Sequence, residues 1–234
     1  MKIIAAFDGF SPEISNFFEN LTHNNNKLWF DENRKFYEKE IKDKSKLFVE
    51  LMAKHFFDNN LPFISDSKLS LFRINRDIRF SANKDPYKTN LGVFFPYSEN
   101  PSLVSKEFSL GLYIHFEKGK SFIASGLHSP DTQTLKSLRN QIADNYEEFL
   151  IIVNDKSFRK NFPDTFSSQK PLTRLSGFPK DHPAAEYLKQ KDFSFGLKIS
   201  DDVFFNNKLG SFIIEKAKSS KNYLQFLYNA IYKQ

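Results

Sequence analysis

The 234-residue sequence has no cysteine, which excludes thiol catalysis, cysteine-ligated zinc, iron–sulfur clusters and disulfides, and leaves the redox compartment open. Signature loops are missing too. There is no GxGxxG, no GxSxG and no HExxH, and the five histidines are scattered, so nucleotide-fold, serine-hydrolase and zinc-protease chemistries find no support. GKS at 119–121 has the ending of a phosphate-binding loop, but Ile114 stands where the earlier glycine is required, and the segment reads as a hairpin turn. No acidic cluster suited to Mg²⁺ accompanies the basic residues described below, and neither a metal nor a cofactor is expected. Long apolar runs are absent: FLIIV at 149–153 is among the longest, far short of a membrane span. The opening MKIIAAFDGF has too short an apolar run before Asp8 for a secretory signal. A soluble, cytoplasmic protein with no membrane partner is expected.

What is present is aromatic and basic. Hydrophobic residues make up 40% of the chain and 28 residues are phenylalanine, a profile that folds rather than stays disordered. The length suits one domain with a full core. Net charge is +6, but the lysines are interspersed with Asp and Glu, so nucleic-acid binding stays open without being indicated.

Local patterns divide the chain into a helical part over 11–60, a sheet-rich core over 68–130, and helices with one returning strand over 131–234, within a single domain over 1–234. Ser11 as N-cap and Pro12 behind it open a helix with Ile14, Phe17, Phe18 and Leu21 on one face. KLWFDENRKFYEKEI and a run from about Ser45 to Phe57 follow as helices, with Trp29 as a core anchor. LSLFRIN and LGVFFPY read as strands. FSLGLYIHFE alternates Phe108, Leu110, Leu112, Ile114 and Phe116 against Ser109, Gly111, Tyr113, His115 and Glu117, so one face is buried; EKGK then turns the chain into KSFIASGLHS. Asp131 caps a helix with Leu135, Leu138 and Ile142 as its stripe, DFSFGLKIS is a further strand, and a last helix runs from about Leu209 to Ile231. These elements predict an α+β fold with a mixed, mostly antiparallel sheet packed with helices, a helical N-terminal quarter and a C-terminal helix.

Arginine is rationed, with seven against 27 lysines, yet three of the seven fall in RINRDIR at 73–79. The surrounding window, residues 71–90, holds Arg73, Arg76, Arg79, Lys84 and Lys88 against Asp77 and Asp85. Like charges so close need either acids from elsewhere in the fold or an external anion, and the planar guanidinium suits bidentate capture of phosphate or carboxylate. Asp77 would orient Arg76 or Arg79, and Pro86 would hold Tyr87 and Lys88 in place. Tyr113 and His115 lie on the polar face of the clearest strand; His115 is the best acid–base candidate, and His128 would approach it if the register allowed. Asn33, Arg34 and Arg174 are weaker candidates.

The order WF, FRINRDIRFSANKDPYKTN, GLYIHF, SGLHSPDTQTLKSLRNQI, KDHPAAEYLKQKDF resembles the uncharacterised bacterial and fungal family known as domain of unknown function 2461, over nearly the whole chain. The resemblance implies one domain and names no activity, substrate or cofactor. Asn83 stands where the family has an acidic residue before the motif lysine, and Asn90 where histidine or asparagine is usual. The expected function is binding of a small anionic ligand, phosphate or carboxylate, by an enzyme or a sensor. The alternatives are a nucleic-acid or protein-binding module and a structural protein with an internal arginine–aspartate network.

Overall fold

The structure, a computed structural model, describes residues 7–79, 81–105, 110–167 and 169–233. Helix α1 (Glu13–His23) begins as the sequence suggests: Ser11 Oγ accepts the Glu13 N–H at 3.2 Å, and Ile14, Phe17, Phe18 and Leu21 are buried. Asn26 caps α2 (Lys27–Phe36) by accepting the Trp29 N–H. The chain then passes without a break through a π-helical segment (Tyr37–Asp43) into α3 (Lys44–Asp58), where two separate helices are expected from sequence. The wider turn rotates the apolar stripe, so that Phe30, Ile41, Phe48, Met52 and Phe56 all reach the core. Phe30, rather than Trp29, is the fully buried anchor; Trp29 packs at the margin against Phe17, 5.5 Å between ring centroids.

LSLFRIN is not a strand. Asp66 caps a single turn, α4 (Ser67–Ser70), by accepting the Lys68 and Leu69 N–H groups. Beyond it the chain makes only single bridges, Leu71 to Val93 and Asn75 to Tyr87. It therefore runs as an irregular strip beside β1 (Leu91–Pro96).

Strands β2 (Leu110–Phe116) and β3 (Phe122–Leu127) form the expected hairpin, with Gly119 at φ +71° in its turn. Phe80, Phe108 and Ser109, assigned from sequence to the motif and to the start of this strand, lie outside the described residues. Asp131 caps α5 (Thr132–Asp144) through the Thr134 N–H at 2.7 Å, and α6 (Tyr146–Val153) and α7 (Lys156–Asn161) follow. The short β4 (Asp164–Thr165), the single turn α8 (Ala185–Leu188), β5 (Phe193–Lys198) and the long α9 (Leu209–Tyr232) complete the chain.

The sheet order is β1-β2-β3-β5-β4 and every pairing among the described strands is antiparallel. One face carries Val93, Phe95, Leu112, Ile114, Phe116, Ile123 and Phe195, all buried, against a helical layer centred on α9. Helix α9 buries a broad apolar face, including Ile213, Ala217, Tyr223, Leu224 and Leu227, and turns Ser211, Glu215, Lys218 and Asn222 to solvent. The protein is thus a single α+β domain.

Registry assigns Gly92, Phe94, Gly111, Tyr113, His115, Phe122, Ala124, Gly126, Gly196 and Lys198 to the other face. Small residues there let rings from loops lie close: the Phe166 ring covers Gly196, where an added Cβ would stand 2.5 Å from it. Gly126 takes φ +138° and leaves no room for a Cβ beside the Phe193 carbonyl.

Candidate functional site

The strip over 71–79 and the segment over 84–90 run side by side, tied by the Arg76 N–H to the Pro86 carbonyl (2.9 Å) and the Lys88 N–H to the Ile74 carbonyl (2.8 Å). This pairing brings Arg73, Arg76 and Lys88 together. Lys88 is half-buried; burial, followed by the neighbouring charges of Arg73 and Arg76, holds its ammonium pKa below the ordinary lysine value. Arg76 donates from Nη2 to the Tyr87 carbonyl at 3.4 Å, and its Nε is buried with no hydrogen-bond partner. Among the described residues no carboxylate pairs with Arg73, Arg76 or Lys88.

The rest of the basic motif is used internally. Asp77 clamps Arg79, accepting from its Nε at 3.0 Å, from its Nη2 at 2.7 Å and from its backbone N–H at 3.2 Å. The Arg79 hydrogen bonds hold the Asp77 carboxyl well below the usual range. Asp77 therefore orients Arg79 and not Arg76. Lys84 donates to the Ile78 carbonyl at 2.9 Å. Tyr87, expected as a ligand contact, is buried with its ring stacked on Phe30 at 4.2 Å; Asn25 brackets its backbone, accepting its N–H and donating to its carbonyl, 3.0 Å each. Only the Tyr87 carbonyl meets the cluster. Arg34 pairs with Asp31, Asn33 donates to the Trp29 carbonyl, and Arg139 spends its donors on the Leu188 and Gln190 carbonyls. Arg174 lies in an exposed loop whose Ser176 and Phe178 line a cavity against α5.

Beside the cluster, the polar face of β2 carries a hydrogen-bonded chain. His115 Nδ1 lies 2.9 Å from Tyr113 Oη and 3.4 Å from Asn90 Nδ2; His115 Nε2 lies 3.2 Å from Glu117 Oε2. Burial pushes the Glu117 carboxyl up, but hydrogen bonds from Lys120 and His115 outweigh it and keep it below the ordinary value. Glu117 is therefore a carboxylate at neutral pH, Nε2 carries the imidazole proton, and Nδ1 accepts the Tyr113 O–H. Burial lowers the His115 pKa, against the pull of Glu117, and raises that of Tyr113 to about 12. The arrangement is a Tyr–His–Glu relay of hydrogen bonds, a neutral phenol and a neutral imidazole leading to an ionised carboxylate.

His128 does not join it. His115 pairs with Phe122, so His128 lies six residues further along β3, roughly 20 Å away, beside the buried Asp192.

Sequence reasoning missed the aromatic residue that joins cluster and relay. Phe72, within the segment that reads as a strand, is 50% exposed; Lys88 Nζ stands 5.2 Å from its ring centroid, and its ring meets Tyr113 edge to face at 5.9 Å. A large apolar side chain inside a run of charges was the available signal. No curated protein and no solved structure matches the chain. The model of a family described as conserved hypothetical protein, DUF2461, matches residues 13–226, which include the whole cluster, the relay and the sheet, and the protein belongs to that family.

Proposed function

We propose that the protein binds a small anionic ligand, a phosphate or a carboxylate, on Arg73, Arg76 and Lys88. The observation that carries this reading is the convergence of three cations, none of them hydrogen-bonded to a carboxylate among the described residues, one with a buried, unpartnered Nε and one with its charge disfavoured by burial and by the other two; Asp77, which feels the charge of Arg73, is clamped to Arg79. Buried donors are almost always satisfied in folded proteins, so an orphaned guanidinium N–H beside two more cations is arranged for a partner that the described residues do not supply. Arg79 and Lys84 shape the loop rather than bind, because their donors are already engaged. A structural network would look like the Asp77–Arg79 clamp, and the other three cations do not.

The test is a thermal-shift series at low ionic strength with inorganic phosphate, small phosphate esters and small carboxylates. A ligand at 100 times its Kd stabilises by about 2.7 kcal/mol, which raises the melting temperature of a chain this size by roughly 5–10 °C. Arg76→Ala is expected to abolish the shift. A flat response across all the anions in wild-type protein would remove the proposal.

A further inference from the structure

Five side chains on and beside the outer sheet face form one continuous aromatic ribbon that starts at the cation cluster. Phe72 contacts Lys88 and Tyr113; Tyr113 lies 5.7 Å from Phe122; Phe122 stacks on His115 at 4.6 Å and meets Phe166 at 5.1 Å. None of the five is fully buried. The ribbon crosses β1, β2, β3 and β5 over Gly92, Ala124 and Gly196, which leave room for the rings; Phe72 meets Tyr113 at 82°, Phe122 is tilted 41° to Phe166 and stacks on His115 at 18°, and Lys198 stands on the same face at the far end. Four strands at about 4.8 Å spacing give it a length near 14 Å.

We infer that the ligand of this site joins a phosphate to a planar base, with the phosphate on Arg73, Arg76 and Lys88 and the base stacked on the ribbon from Phe72 towards Phe122. This inference rests on the anion-binding reading and names the class of ligand. An exposed Phe72 between a cation cluster and further rings fits a molecule with a charged end and a flat apolar end, because base–aromatic stacking tolerates any base and the protein cations beside it hold the phosphate of the same ligand. A bare phosphate or a small carboxylate would leave the ribbon unused. Free nucleotides and single-stranded nucleic acid share this chemistry, and the length of the ribbon accepts either.

The test is calorimetric titration at low salt with four probes: inorganic phosphate, ribose 5-phosphate, adenosine monophosphate and a five-nucleotide single strand. Adenosine monophosphate is expected to bind about tenfold tighter than ribose 5-phosphate. Phe122→Leu, on a rigid strand and away from Lys88, should erase that advantage while leaving ribose 5-phosphate binding intact; Phe72→Leu should erase it as well, with some loss of ribose 5-phosphate affinity because its ring faces Lys88. A single strand that binds at least about tenfold tighter than the mononucleotide assigns the face to nucleic acid, and equal affinities assign it to a free nucleotide. Equal binding of adenosine monophosphate and ribose 5-phosphate in wild-type protein overturns the inference while the anion site stands. Failure of all four probes overturns both.

Discussion

Lys88 is a residue whose charge the fold disfavours. Its ammonium sits half-buried beside two guanidinium groups, with the face of Phe72 to offset them in part. Lys88→Met keeps the hydrocarbon stem and removes the repulsion, so the unliganded variant should melt at the wild-type temperature or above it, while its affinity for phosphate falls by about tenfold. A variant that melts lower and binds phosphate as well as wild type would show Lys88 to be a structural cation. His115 makes a separate expectation. Burial holds its folded pKa below the unfolded value, so the unfolded chain takes up the proton first as pH falls. The stability it contributes is complete above about pH 6.5 and is lost below it. Tyr113, Glu117 and Lys120 surround the ring, and Glu117 opposes the loss. Urea midpoints measured from about pH 8 to about pH 5 should fall more steeply for wild type than for His115→Gln. Parallel profiles would mean that the imidazole titrates as it does in the unfolded chain.

At the level of elements, the glycines divide by position. Gly126→Ala places a methyl group against the Phe193 carbonyl at a φ that L-residues avoid, and should cost about 3 kcal/mol or more by separating β3 from β5. Gly119→Ala, in a turn with open space around it, should cost about 1 kcal/mol. Denaturant midpoints of the two variants make the comparison. Elements that carry their own boundary chemistry were legible from sequence: Ser11 and Asp131 at helix starts, the period-2 alternation of β2, and the apolar length of α9. LSLFRIN was misread because its alternation mimics a strand, while Asp66, outside the run, captures its first residues into a helical turn. The cluster was legible in composition and not in pairing. Which arginine Asp77 would take depended on a local turn, and the burial of Tyr87 depended on Phe30 and Asn25, more than fifty residues away in the chain.

For the molecule as a whole, α9 touches β2, β3, α3, α5, α6 and α7, and Phe18, Phe48 and Phe56 of the N-terminal helices pack on Phe116 and Phe95 of the sheet, so one core joins all the layers. Trp29, the only tryptophan, reports on the N-terminal layer, whereas far-ultraviolet dichroism reports on all the helices. The two signals should trace one superimposable unfolding curve; an earlier fluorescence transition would separate residues 11–60 as a unit of their own. The borders of the sheet have a different consequence. On one side β4 is two residues long, and on the other the irregular strip through Leu71 and Asn75 lies alongside β1. Neither border offers a long row of free amides to a second chain, which protects the protein from strand-to-strand polymerisation. Because the shield along β1 is also the segment that carries Arg73 and Arg76, mutations that loosen it should reveal themselves as turbidity on concentration, beyond any loss of affinity.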